Sequence, residues 1–450
     1  MDKNYSLEQT IGSLLENKRY PTIKDILITL NAADIAVILG ELPEESLPLL
    51  FRLLPKELAA DSFVEMDADS QESLITRFSD TELKAVIDEL YIDDAVDLVE
   101  EMPANVVKRI LKQADPDTRK LINELLKYPD DCAGSIMNTE FVELRTDQTV
   151  SEAIRILRQE GMEKETINDC FVTNKDRTLA GLISLRTLIL SKDEDLISER
   201  MDTNLISVST MEDQETVAEK FKKYDLTAMP VVDGENRLVG IVTVDDAIDV
   251  MEEEATEDIE KMAAMTPSDK PYLKTSVWDI FKRRIPWLML LMISSTFTGL
   301  IITHFEDALA AQVVLTAYIP MLMGTGGNSS SQSSVTVIRG LSLNEIQFRD
   351  ALLVIWKEIR VAVMCGISLA AVNFVKLMLL DRVGLMVSLV VSLTLAITVA
   401  VAKCIGCSLP LLAKKIGFDP AVMASPLITT VVDALALLTY FGIATALLGL

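Results

Sequence analysis

Histidine occurs once in the 450-residue chain, as His304, and cysteine five times, as Cys132, Cys170, Cys365, Cys404 and Cys407. A clustered His/Cys metal site is therefore nearly excluded. The scattered thiols form no disulfide framework, which agrees with a reducing compartment. Cys404 and Cys407 have CxxC spacing but lie in an apolar run, where two buried thiols one helical turn apart are the simpler reading. The first twenty residues, MDKNYSLEQTIGSLLENKRY, lack an apolar core after a basic start, which predicts no cleavable signal and a soluble part that stays in the cytoplasm. Catalytic patterns are missing too. GTGGN at 324–328 lacks the Gly-Lys-Ser/Thr ending of a phosphate loop, and no nucleophile has a base at recognisable spacing, so the chain does not read as an enzyme.

Positive charge is scarce in the first part. Residues 1–270 hold 29 basic and 59 acidic side chains, whereas the remainder holds 13 and 9. Such an excess disfavours nucleic acid and anionic lipid surfaces as partners, and suits solubility or the attraction of cations. The later part carries long apolar runs instead, so an acidic soluble body precedes a membrane domain.

The soluble body repeats itself. Apolar residues recur every twelve positions at Leu42, Leu54, Met66, Phe78, Leu90 and Met102, and again at Leu39, Phe51, Phe63, Ile75, Ile87 and Val99. Turn-forming residues follow the first set (Pro43, Pro55, Asp67, Ser79, Pro103), so each period reads as a short helix and a turn, and residues 1–131 as a solenoid of stacked helical hairpins. Periodicity alone leaves open whether this is a sensing surface or a spacer.

A second repeat begins near Cys132. GSIMNTEFVELRTDQTVSEAIRIL is echoed 64 residues later by SERMDTNLISVSTMEDQETVAEKF, and DCFVTNKDRTLAGLISLRTLI by TAMPVVDGENRLVGIVTVDDAI. Each copy reads strand, helix, strand, turn, strand, helix. The pair resembles tandem CBS domains, at 132–196 and 197–254, modules that often bind adenine nucleotides between the copies. Gly240, Thr243 and Asp246 match that family's glycine, hydroxyl and acidic pattern for a ribose and phosphate, whereas the first copy has Gly181 and Ser184 but no acid. The resemblance thus implies ATP as a ligand at Thr243 and Asp246.

Acidic residues then crowd a predicted connecting helix at 255–282 and the stretch before it: Asp245, Asp246, Asp249, Glu252 to Glu254, Glu257, Asp258 and Glu260, with Lys261 the first base. A solvated helix face is the ordinary reading. Like charges at i,i+3 and i,i+4 oppose an isolated helix, however, so a cation would stabilise it.

Five spans are predicted within 283–450, at 285–305, 311–338, 360–380, 383–412 and 420–450, and basic clusters on alternate sides place the N-terminus inside. Lys376 and Lys403 lie toward span ends, where they can snorkel. Asp433 is the sole charged residue after Pro420, at mid-depth, and Ser425, Thr429 and Asp433 share one helical stripe. PMLMGTGGNSSSQSS at 320–334 places glycines and hydroxyls at the same depth. One reading is an unwound turn lining a watery path, with free carbonyls at Gly324 to Asn328. The competing reading is close helix packing by small residues. Taken with Asp433, the first is favoured.

These features together resemble the MgtE family of magnesium channels: a helical repeat domain, paired CBS modules, an acidic connecting helix, and spans carrying PMLMGTGGNSSSQSS and PLITTVVDALALL. The resemblance implies a multidomain chain: an all-α repeat domain, α/β CBS domains and an α-helical five-span membrane domain. It implies a homodimer in the cytoplasmic membrane with the ion path at the subunit interface. Asp433 would be the pore carboxylate, with Thr429, Gly324 and Asn328 nearby. Regulatory Mg²⁺ would be held by Asp93, Asp97, Asp213, Glu215, Asp225, Asp246, Asp249, Glu254, Glu257 and Asp258, closing the pore as cytosolic Mg²⁺ rises. Two other classes stay open on sequence: an H⁺- or Na⁺-coupled carrier, and a nucleotide-responsive membrane receptor.

Overall fold

The structure, a computed structural model, describes residues 2–268, 272–423 and 425–449, and the side chains of all these but 2–6 and 425. The chain divides into two compact units, Met1–Met251 and Glu252–Leu450.

Ten helices open the first unit: α1 (Asp2–Glu16), α2 (Tyr20–Leu27), α3 (Ala32–Glu41), α4 (Leu47–Phe51), α5 (Lys56–Val64), α6 (Ala68–Arg77), α7 (Asp80–Ile87), α8 (Ile92–Glu101), α9 (Ala104–Gln113) and α10 (Pro116–Leu125). From Lys56 their starts fall twelve residues apart, as the apolar spacing predicts. Leu39, Phe51, Phe63, Ile75, Ile87 and Val99 are all buried in one shared core. Helices this short are marginal alone, so the stack supplies their stability. Caps set the register. Asp67 accepts from Ser70 N–H, Asp115 from Asp117 and Thr118 N–H, and Ser79 and Glu82 form a capping box. Each such cap contributes about 1 kcal/mol.

The two CBS-like copies have the same topology. β1 (Glu143–Arg145) pairs parallel with β2 (Asp169–Thr173), which pairs antiparallel with β3 (Leu179–Ser184). Likewise β4 (Val208–Ser209) is parallel to β5 (Ala228–Val232), and β5 antiparallel to β6 (Leu238–Thr243). Even the register shift recurs, between Val172 and Thr173 and between Val231 and Val232. Around the sheets lie α11 (Val150–Glu160), α12 (Leu185–Leu190), α13 (Ile197–Arg200) and α14 (Gln214–Tyr224). Phe141 and Phe171 pack with Ala228, Leu238 and Ile241, joining the copies.

The acidic helix differs from the prediction. α15 (Val244–Met262) begins directly after β6, and residues 263–268 and 272–276 are not helical, so no helix runs over 255–282. Ala264 ends it in the left-handed region at φ 54°, with Met265 N–H donating to Glu260 O and Ala264 N–H to Lys261 O. That is a Schellman stop, and Pro267 follows.

The second unit continues with α16 (Val277–His304), α17 (Glu306–Ala311), α18 (Ile319–Ser342), α19 (Ala351–Leu379), α20 (Leu385–Lys415) and α21 (Ser425–Leu448). Among the described residues, four helical stretches are long and apolar enough to cross a membrane: Val277–His304, Phe348–Leu379, Leu385–Lys415 and Ala421–Leu448. The five-span expectation thus meets four spans by that measure. α18, at 24 residues, is about 36 Å long, but its glycines and hydroxyls lower its apolarity. Nor does this helix start at Ala311. A 3₁₀ segment occupies Val313–Tyr318, and Pro320 sits in the first turn of α18, where its missing N–H leaves no bond unmade. Leu315, Leu322, Leu395, Leu437, Tyr440 and Phe441 form the core beneath these helices.

Candidate functional site

Two groups of side chains stand out, one in each unit. In the second unit, α18 is helical throughout, so the unwound turn expected at 324–328 is absent and those carbonyls are not released from the helix. Close packing by small residues, the competing reading, describes most of the stretch. Gly326, Gly327, Ser329, Ser330, Ser333 and Ser334 are buried. A Cβ on Gly326 would stand 2.9 Å from Thr398 Cγ2 and 3.0 Å from Val432 Cγ1, and one on Gly327 3.0 Å from Thr429 Cγ2. The helix nevertheless has a second face, because Gly324 and Asn328, one turn apart, are exposed.

This seam brings α18 against the α21 turn that holds Thr429, Val432 and Asp433. Asp433 is half-buried, and its Oδ1 is enclosed with no hydrogen-bond partner. A carboxylate oxygen held so, in an apolar helix, is costly unless something pairs with it. Ser425, expected on the same stripe, has a side chain outside the described residues.

Lys403 corrects the snorkelling expectation. It is 5% exposed and donates to Ser333 Oγ at 3.3 Å, while Ser333 donates to Glu358 Oε2 at 2.6 Å. Sequence reading missed this group. The one signal was two opposite charges in separate apolar runs.

In the first unit, α8 presents Asp93, Asp94 and Asp97 to the CBS-like pair. Asn138, fully buried, donates to Asp93 Oδ1 and Glu165 Oε2, each at 3.1 Å. Asp94 N–H donates to Asp93 Oδ1, and Ile92 N–H to Glu140 Oε2. Burial pushes Asp93 up to about 9, aided by the charges of Asp94, Asp246 and Glu165. Asp94 reaches about 7, by burial first and then by neighbouring acids, whereas Asp97, raised in the same direction, keeps an exposed side chain and so gains less from burial. Glu165 also rises to about 7, through burial and the charges of Asp245 and Asp246. Asp94, Glu140 and Glu165 were not singled out from sequence, since Glu140 and Glu165 lie far from α8 along the chain. Among the described residues, no three of these groups approach closely enough to hold a bare metal ion. A cation here would act through its waters.

The raised values fix a pH dependence. Between about pH 4, where unfolded carboxylates titrate, and pH 7 to 9, the folded cluster binds more protons than the unfolded chain, so stability falls as pH rises. In thermal melting without divalent cations, the transition of the first unit should drop from pH 5 to pH 8.5. Asp93→Asn together with Asp97→Asn should flatten that drop. An unchanged slope would mean that Asp93 and Asp97 hold no extra protons in the folded protein and stay ionised as they are in the unfolded chain.

The remaining predicted ligands are dispersed. Asp213 caps the start of α14, accepting from Glu215 and Thr216 N–H, while Asp225 closes its end in the left-handed region. Eleven helical residues, about 16 Å, separate them, so within one chain Asp213 and Asp225 cannot share an ion. Glu215 and Asp249 are exposed, and Glu254 is half-exposed. Glu257 pairs with Lys261 at 2.6 Å, and Lys261 also pairs with Asp419 at 2.7 Å. Lys261 thus supplies part of the positive charge that the acidic helix requires. Asp258 accepts from Ser342 Oγ at 3.3 Å, and burial and then Asp419 raise its pKa. In the nucleotide motif, Thr243 N–H and Oγ1 both donate to Asp246 Oδ2, so the two expected contacts are bonded to each other.

Comparison with known proteins bears on both groups. A family model named MgtE, described as a divalent cation transporter, matches residues 319–443. The MgtE intracellular N domain matches 30–131, and the CBS domain matches 133–192 and 194–253. The chain is 35% identical to the magnesium transporter MgtE of Thermus thermophilus over 436 residues, 95% of each chain. It is 34% identical to the magnesium transporter MgtE of Bacillus subtilis, covering 96% of this chain and 95% of that protein. Among solved structures, the soluble part of a magnesium transporter aligns with TM-score 0.51 and 32% identity, over 57% of this chain and 99% of that one. The cytosolic domain of the Mg²⁺ channel MgtE in complex with ATP aligns with TM-score 0.51 and 33% identity, over 53% and 97%.

Proposed function

The chain belongs to the MgtE family of magnesium transporters, and from that premise we propose that it is a homodimeric Mg²⁺ channel of the cytoplasmic membrane, closed from the cytosol by Mg²⁺ itself. The observation that carries the reading is Asp433, the one charge of α21, with an enclosed carboxylate oxygen lacking a protein partner. Mg²⁺ is hard, prefers oxygen and gives up water reluctantly. A carboxylate beside the Thr429 hydroxyl and the exposed Gly324 and Asn328 face of α18 would hold the hydrated ion. α18 acts as the fifth span. A second copy facing this stripe would cover its polar atoms and bring two Asp433 side chains to one path.

Closure would draw on the acids of the first unit. Asp93, Asp94, Asp97, Asp246 and Glu165 lie near enough for their charges to raise one another's pKa. Hydrated Mg²⁺ would displace their shared protons and bind the compact state better than an open one, which is what shifts a population. Asp213, Glu215, Asp225, Asp249 and Glu254 would bridge to other surfaces, and Glu257 and Asp258 would act in the second unit. ATP is the further ligand proposed, at the Thr243 and Asp246 pair.

Uptake into liposomes tests the reading. With an inside-negative potential and no Na⁺ or pH gradient, the purified protein should admit Mg²⁺. Uptake that requires either gradient would establish a coupled carrier instead.

A further inference from the structure

Three polar or charged side chains from three helices meet inside the second unit. Lys403 on α20 donates to Ser333 on α18 at 3.3 Å, Ser333 donates to Glu358 on α19 at 2.6 Å, and Lys403 lies 3.8 Å from Glu358. The Ser333 hydroxyl thus accepts from one helix and donates to another, which fixes the direction in which that side of α18 points. One turn from Lys403, a Cβ on Gly406 would overlap the backbone carbonyl of Ser330, so α18 and α20 touch there with no side chain between them. The Gly406 contact sets the separation of the two helices. The hydroxyl bridge sets the rotation of α18.

A buried ion pair adds little net stability over apolar residues of equal volume. What it supplies beyond them is direction. Rotation at Ser333 is carried rigidly along α18, through Ser330 and Gly327 to Asn328 and Gly324. We infer that Lys403 and Glu358 are positioning residues: acting through Ser333, they hold α18 at the rotation that seats Gly326 and Gly327 against α20 and α21 and leaves Gly324 and Asn328 on the conducting face. The functional half of this inference rests on the conduction reading above, and the geometric half does not.

Two readouts separate them. A Cβ on Gly327 stands 3.9 Å from Thr429 Cβ, within disulfide reach, so the pair Gly327→Cys and Thr429→Cys reports the rotation of α18 on mild oxidation, read by mass spectrometry. Glu358→Gln combined with Lys403→Met removes both charges and leaves neither unpaired. Added to the cysteine pair, this change should lower the cross-linked fraction by about fivefold or more. In the otherwise native chain it should lower Mg²⁺ flux in liposomes by about tenfold or more, while the protein elutes and melts as wild type. Ser333→Ala, the smaller change, should move both readouts the same way. Ser333→Thr and Lys403→Arg, which keep the bridge and the donor, should restore them. Wild-type cross-linking and flux in a folded Ser333→Ala or doubly neutral protein would overturn the inference. Reduced cross-linking with full flux would overturn its functional half. If the wild type carries no Mg²⁺, the conduction reading fails, and the cross-link alone decides whether the bridge orients α18.

Discussion

Replacing Asp433 with asparagine or alanine should lower Mg²⁺ flux into liposomes by about 100-fold, close to 2.8 kcal/mol, while leaving the protein folded. A dication entering an apolar region loses favourable hydration, and Asp433 is the single charge that α21 offers against that loss. The membrane potential supplies the downhill drive, about 4.6 kcal/mol per 100 mV for charge +2, twice the single-charge value, but it cannot replace a local anion at the barrier. Asparagine keeps the volume and the helix, so the change isolates the charge. Stability should move the other way. An enclosed carboxylate oxygen without a partner is unfavourable in the ion-free protein, and the Asp433→Asn variant should melt at or above the wild-type temperature. A folded Asp433→Ala protein with normal flux would remove Asp433 from the ion path.

The second large effect concerns regulation. Changing Asp93, Asp97, Asp246, Asp249, Glu254 and Glu257 together to Asn or Gln should displace the midpoint of Mg²⁺-driven closure by about tenfold or more, so that flux no longer depends on cytosolic Mg²⁺ over the range in which the wild type closes. Losing the ligands weakens Mg²⁺-driven compaction, yet losing the repulsion makes compaction easier without Mg²⁺. Basal flux can therefore rise or fall, and sensitivity is the quantity to measure, by open probability and by limited proteolysis near Glu252 to Met262 across a Mg²⁺ series. Within the set, Asp93 and Asp246 should contribute most, because burial raises both and each faces further acids. If these carboxylates only keep the protein soluble, the variant will close and become protected at the wild-type concentration.

Much of the fold was legible because it is periodic or duplicated. The twelve-residue spacing located α5 to α10, and the paired motifs around Gly181 and Gly240 located two sheets of the same topology. The misreadings share a cause. Glycines and hydroxyls at 324–334 are ambiguous between a broken helix and a tightly packed one, and only neighbours such as Thr398, Thr429 and Gly406, distant in sequence, decide the matter. Lys403 reads as a snorkelling residue until Glu358 and Ser333 are seen beside it. The acids at Asp93 and Asp97 were identified through a resemblance. Their environment was not, since Asn138, Glu140 and Glu165 come from a different domain.

The acidic cluster also has an order of assembly. Contacts in the α3 to α10 stack are between near neighbours in sequence, so this domain can form as the chain leaves the ribosome. The groups facing α8 arrive in stages, because Asn138 bridges to Ile241, about a hundred residues later. At a synthesis rate of about 5–20 residues per second, that interval lasts roughly 5–20 s. During it Asp93, Asp94 and Asp97 remain hydrated and ionised on an otherwise finished solenoid. Their burial, and the charge of Asp246 that raises them, come only when β6 closes the second sheet. Docking of the CBS-like pair is therefore a late folding step, one whose rate should increase with Mg²⁺ and decrease as pH rises.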